Sequence, residues 1–108
     1  MYLDKDDNLY GFCLEGHAEA APYGQDLVCS AISMLAITVA NSLSEQLSVE
    51  PKLESDDQRG YLECVLQPGL SAEEKICAQA ILKTLELGLN SLEDNYGQYI
   101  KVKKRRWK

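Results

Sequence analysis

The chain has 108 residues, enough for one hydrophobic core and too few for two. With 45% hydrophobic and 26% charged residues its composition is ordinary for a soluble globular protein. No apolar run is read as approaching the roughly 20 residues that cross a bilayer, and the opening Met1-Tyr2-Leu3-Asp4-Lys5-Asp6 lacks the basic-then-apolar pattern of a signal peptide, so the expectation is a cytoplasmic protein with no membrane segment.

The net charge of −6 hides an asymmetry. Lys101, Lys103, Lys104, Arg105, Arg106 and Lys108 crowd the end, leaving five basic against seventeen acidic residues before them, a balance of −12. Such a body suits basic partners and repels nucleic acid. Residues 103–108 read as an exposed basic tail, able at most to touch phosphates weakly.

Along the chain, Asp6-Asp7-Asn8 is turn chemistry, so residues 1 to 15 read as a hairpin whose first arm is a stub. Gly16 opens a loop through Pro22 and Gly24. Asp26 has the character of a helix N-cap, and Val28, Ile32, Leu35, Val39 and Leu43 then paint one helical face, predicting a helix from about Leu27 to Gln46. Ser48 to Ser55 and Gly60 to Gln67 read as two strands joined at Asp56-Asp57-Gln58-Arg59-Gly60. Pro68-Gly69 ends the second of them. Ser71-Ala72-Glu73-Glu74 is a capping box, and Ala78, Leu82, Leu85, Leu89 and Leu92 mark the buried stripe of a second helix to about Asp94. Tyr99-Ile100-Lys101-Val102 reads as a final strand. The order ββαββαβ predicts an α+β domain with two helices packed on one face of a small mixed sheet.

Four cysteines, Cys13, Cys29, Cys64 and Cys77, stand 16, 35 and 13 positions apart with no C-x-x-C pair, so neither a metal site nor a cofactor is expected. Without a secretory signal they read as thiols. With Asp26 as cap, Cys29 falls in the first helical turn, where free N–H groups and the dipole favour a thiolate and offer donors to an oxyanion. His17 is the only histidine. A loop from Ala18 to Gln25 is long enough to bring its ring to Cys29, where it serves as general base and then acid. Asp26 serves either as cap or to orient the imidazole. Ser33, one turn after Cys29, either lines the site or bonds back to the helix backbone. Cys13, Cys64 and Cys77 read as core thiols.

Gly16-His17-Ala18, then Gly24, then Asp26-Leu27-Val28-Cys29-Ser30-Ala31-Ile32-Ser33 resembles the ribosomal-processing cysteine protease family, also called Prp. The likeness extends through the Leu-Gly-Leu-x-Ser-Leu helix end at residues 87 to 92 and Tyr99-Ile100-Lys101-Val102. The resemblance implies a bacterial cysteine peptidase, dimeric, that removes an N-terminal extension from a precursor of large-subunit ribosomal protein twenty-seven. By position it implies Cys29 as nucleophile, His17 as base, Asp26 and Ser33 as supporting residues, and Gly16 and Gly24 as loop hinges. The chain departs from the family in its short first strand and its longer basic ending. The expectation is therefore a cysteine endopeptidase acting on that precursor peptide as a homodimer. The alternatives are a non-catalytic ribosome-associated module that binds the same protein, with its tail on RNA, and a redox sensor using Cys29.

Overall fold

The computed structural model describes residues 1–16, 23–56, 60–98 and 100–106. In chain order the elements are β1 (Tyr2–Leu3), β2 (Leu9–Leu14), α1 (Tyr23–Gln46), β3 (Lys52–Asp56), β4 (Tyr61–Val65), α2 (Ala72–Tyr96) and β5 (Arg105–Arg106). The strands form one mixed sheet in the order β3-β4-β2-β1-β5, antiparallel except where β5 runs parallel to β1. This is the expected α+β class and element order.

Between β1 and β2 the Asp4 carboxylate accepts from the amides of Asp6 at 2.8 Å and Asn8 at 3.0 Å. Asp7 takes a φ of 64°, a left-handed conformation that Asp tolerates better than most residues. Tyr2 lies opposite Gly11 and Leu3 opposite Leu9, so Tyr10 is the extra residue of a bulge. Gly11 is required by packing: a Cβ there would come within 2.5 Å of the Cys64 carbonyl oxygen.

Phe12 and Cys64 sit opposite one another and turn to the helices, fully buried. Onto them pack Ala36, Val39 and Leu43 of α1 and Ala78, Leu82 and Leu85 of α2. Gln79 ties α2 to the start of β2, accepting from the Leu9 amide at 2.9 Å while its own amide donates to the Leu9 carbonyl.

The capping box of α2 is present: the Glu74 amide donates to Ser71 Oγ at 3.1 Å, and the Ser71 amide to Glu74 Oε1 at 3.1 Å. The same carboxylate also takes the Ser48 amide at 2.6 Å and the Ser48 hydroxyl at 3.0 Å. The bonds from the Ser48 and Ser71 amides hold its pKa down at about 2.

Several boundaries differ from expectation. The first helix begins at Tyr23, so Asp26 is not its N-cap, and Gly24 lies in its first turn and is no loop hinge. β3 starts only at Lys52, because Pro51 has no N–H to offer a ladder and the Ser48 amide is taken by Glu74. Asp57 to Arg59 of the expected turn lie outside the described residues.

The last strand is not at 99–102 but at Arg105–Arg106. Ile100 and Val102 instead pack against the core, and the Val102 amide donates to Glu93 at 2.8 Å. The side chains of residues 103–106 are exposed, while their backbone is tied down, Lys103 by the Met1 ammonium and Arg105–Arg106 by pairing with β1. Leu27–Gln46 is also long and apolar enough, by length and composition, to cross a bilayer, which corrects the expectation that no run reaches that length. Its apolar character follows from an inner face buried on the core and the lack of any charged residue between Asp26 and Glu45.

Replacing Gly11 with Ala is expected to lower the unfolding free energy by about 1–3 kcal/mol in a denaturant titration, since the obstacle is backbone. The Glu74 carboxyl lies below its ordinary 4.5, so its contribution is present at neutral pH and fades as pH falls from 4.5 through about 2. Glu74→Gln should therefore lower the melting temperature at neutral pH, and its deficit against the parent should shrink progressively on acidification below pH 4.5.

Candidate active site

Cys29 is the seventh residue of α1 and therefore lies in its second turn, one turn later than expected. The N–H groups left free at a helix start belong to its first turn, and the dipole's effect falls off over the same distance. The Cys29 sulfur thus gains less from the helix end than the expected first-turn placement would allow.

Val28 is buried at 3% exposure, while Cys29 next to it is half-buried. Cys29 lines a cleft of about 810 Å³, as do Ile32 and Ser33 of the following turn. Cys13 of β2 and the two residues just after the strand's end, Glu15 and Gly16, line it as well. The cleft exists because β1 pairs with β2 only as far as Gly11, leaving the end of β2 beside open space.

Gly16 has a φ of 139°, a conformation open to glycine and strained for other residues. Nothing lies within 4 Å of where its Cβ would be, so the backbone angle rather than crowding calls for glycine. Of the expected site residues the structure brings Cys29, Ser33 and Gly16 to one cleft. His17 lies outside the described residues, immediately after Gly16. Asp26 is in the first turn of α1, three positions before Cys29.

The other thiols divide. Cys64 is fully buried, as expected of a core thiol, and burial pushes its pKa up to about 11. Cys77 is half-buried, with its sulfur 4.0 Å from Gln46 Oε1. Cys13 departs from expectation: it is half-buried and lines the Cys29 cleft. In the register of β2, Phe12 faces the helices, so Cys13 opposite Glu63 faces away from them.

Around Cys13 the hydroxyl of Tyr2 donates to Glu63 at 2.6 Å. Burial, then that bond to Glu63, raises the pKa of Tyr2. A hydrogen bond with the Cys13 thiol pushes Tyr61 up to about 12. The signal for this cluster was present in Phe12-Cys13-Leu14, where two apolar residues claim the core face and leave the cysteine between them on the other. Among the described residues no three His, Cys, Asp or Glu side chains gather as metal ligands would.

A family model described as cysteine protease Prp matches residues 1–101. The ribosomal processing cysteine protease Prp of Bacillus subtilis is 27% identical over 97 residues, covering 90% of this chain and 87% of its own. Among solved structures, SMU.848 from Streptococcus mutans superposes with a TM-score of 0.84 at 25% identity, covering 98% of this chain and 90% of that one. The essential ribosomal processing protease Prp from S. aureus, solved in complex with a substrate peptide, gives a TM-score of 0.81 at 23% identity over 96% of this chain and 94% of that one, a likeness of fold.

Iodoacetamide treatment of the folded protein followed by mass mapping should label Cys29 and spare Cys64, which becomes reactive only on denaturation.

Proposed function

The chain belongs to the cysteine protease Prp family, whose reaction is peptide-bond hydrolysis, and from that premise we propose a specific substrate and catalytic pair. The substrate is the N-terminal extension of a precursor of large-subunit ribosomal protein twenty-seven. Cys29 is the nucleophile and His17 its base.

The observation that supports this reading most is that Cys29 lines a cleft of about 810 Å³, with Gly16 lining the same cleft immediately before His17. In the proposed reaction the Cys29 proton passes to His17 and the thiolate attacks the scissile carbonyl. His17 returns the proton to the departing amine as the C–N bond breaks, leaving a thioester on Cys29. Water, deprotonated by the same imidazole, then releases the acyl fragment.

Ser33, on the cleft wall one turn beyond Cys29, and Asp26, in the opening turn, are the supporting residues of this reading. Gly16 is its hinge. The acidic body, at −6 overall, favours encounter with a basic ribosomal protein. The same reading makes the protein a cytoplasmic homodimer whose basic end touches RNA weakly at most.

Incubation with a peptide spanning the precursor extension should give one defined cut. Cys29→Ser and His17→Ala should each lower kcat/KM by roughly 10³-fold or more, and His17→Ala should also slow alkylation of Cys29. An intact peptide that nevertheless binds the parent protein under reducing conditions would replace the enzyme with a non-catalytic ribosome-associated module. Reversible oxidation of Cys29 that alters binding without cleavage would point instead to a redox sensor.

A further inference from the structure

The two halves of α1 are held unequally. From Ala36 to Leu43 four residues are buried, but from Leu27 to Leu35 only Val28 is, with Ile32 and Leu35 partly packed against the core. Cys29 belongs to the thinly held half. Its outer face is also free of charge: α1 has no charged residue between Asp26 and Glu45, in a chain of which 26% is charged. Leu27 and Met34 are exposed on that face, Met34 at 66%.

The uncharged face continues onto α2. A Cβ on Gly88 would come within 2.6 Å of Leu35 Cδ2, so the two helices lie close and leave a shallow groove along their outer side. Met34 and Leu35 of α1 and Gly88, Leu92 and Tyr96 of α2 line it, and no residue that lines it is charged. Over the same stretch of α2, Glu86 and Glu93 are turned the other way, to Lys104 and the Val102 amide. Met34 stands at the rim, its sulfur accepting from the Thr38 hydroxyl at 3.6 Å. Apolar residues scattered singly on a surface need no explanation, but a projecting Met beside an uncharged groove has the composition of an interface core, where charge is depleted and Met enriched.

Charge selects the occupant. A basic partner is drawn to carboxylates, and none lines this groove. A second copy carries the same −6 and is repelled by every acidic part of the surface, so two copies meet most easily where acids are missing. A knob and a groove on one face also suit a twofold axis, which requires the contact surface to complement itself.

We infer that two copies of the chain dock through this α1–α2 groove about a twofold axis, Met34 of each entering the groove of the other, and that the contact supplies the packing that the Cys29 half of α1 lacks. The homodimer of the reading above thereby gains a surface and a task, which is to hold the turns that carry Cys29. The inference rests on that reading only for calling Cys29 the nucleophile, since the contact itself does not require a peptidase.

Sedimentation of the full chain over a range of concentrations should show a mass that doubles as concentration rises. Met34→Lys puts a charge into the contact while leaving helix propensity nearly unchanged, and should stay monomeric. Ile76→Lys, at a residue 71% exposed and about three turns from Gly88 along α2, should dimerise as the parent does. At concentrations where the parent is dimeric, amide hydrogen exchange of residues 30–35 should be roughly tenfold faster in Met34→Lys than in the parent, and that of residues 39–43 unchanged.

A parent that stays monomeric throughout, or a Met34→Lys chain that still dimerises, overturns the docking surface. A monomeric parent that binds vesicles of neutral phospholipid overturns it in favour of a lipid surface. A Met34→Lys monomer whose residues 30–35 exchange as slowly as those of the parent dimer overturns the link to Cys29. No arm reads cleavage, so a failed dimer and a failed peptidase reading are told apart.

Discussion

The position of the thiol depends on the burial of its neighbour. Val28 is 3% exposed, and Ala36 and Leu43 on the same face are fully buried against Phe12 and α2. Each residue of a helix turns about 100° from the last, so fixing Val28 inward leaves Cys29 at the margin of the packed face, where the cleft begins. Burying one Val or Leu is worth about 1.5–3 kcal/mol, and several such residues hold this phase. Rotating α1 by one residue would cost on the order of the whole net stability of a small domain, about 5–15 kcal/mol. Core packing, rather than any bond to the sulfur, sets where the Cys29 side chain lies.

Charge is used differently at the two ends of the molecule. Glu74 gathers Ser48 and Ser71 and so joins the end of α1 to the start of α2 through one carboxylate. At the sheet edge Arg106 and Lys104 secure the C-terminal segment to Asp7 and Glu86. One acidic side chain thus ties the two helices through serine donors, and two others hold the C-terminal segment through cations. Exposed pairs of this kind contribute little each, so their importance is geometric: they fix where the last residues run.

What could be read from the sequence follows the range of the interactions involved. The second helix was legible because its start is a local device, Ser71 and Glu74 within one turn, and its stripe repeats without interruption from Ala78 to Leu89. Local chemistry misplaced the start of α1: Asp26 has the right side chain for a cap, but an N-cap residue and an acidic first-turn residue look alike in one sequence. Cys29 could be singled out by its distance from His17, yet its turn depended on that boundary. β5 could not be seen because its partner, β1, lies about a hundred residues away and pairs with two arginines that carry no strand pattern. Cys13 was hidden by the habit of assigning cysteines to the core, although the flanking Phe12 and Leu14 already fill that face.

The cleft inherits that division between near and distant contacts. Its inner wall, α1 and the end of β2, is joined by a short stretch of chain. Its outer wall is residues 100–105, held where the Met1 ammonium donates to the Lys103 carbonyl at 2.9 Å and the Arg105 amide to the Met1 carbonyl at 2.9 Å. Contacts that close so much of the chain come at the largest loop-closure cost and reward it only when the intervening elements are packed. A chain with only its first hairpin and α1 in place would therefore present the thiol without an opposing wall. The fold withholds a complete cleft around Cys29 until both ends of the chain have met at the sheet edge, so the cleft is a property of the fully folded protein alone.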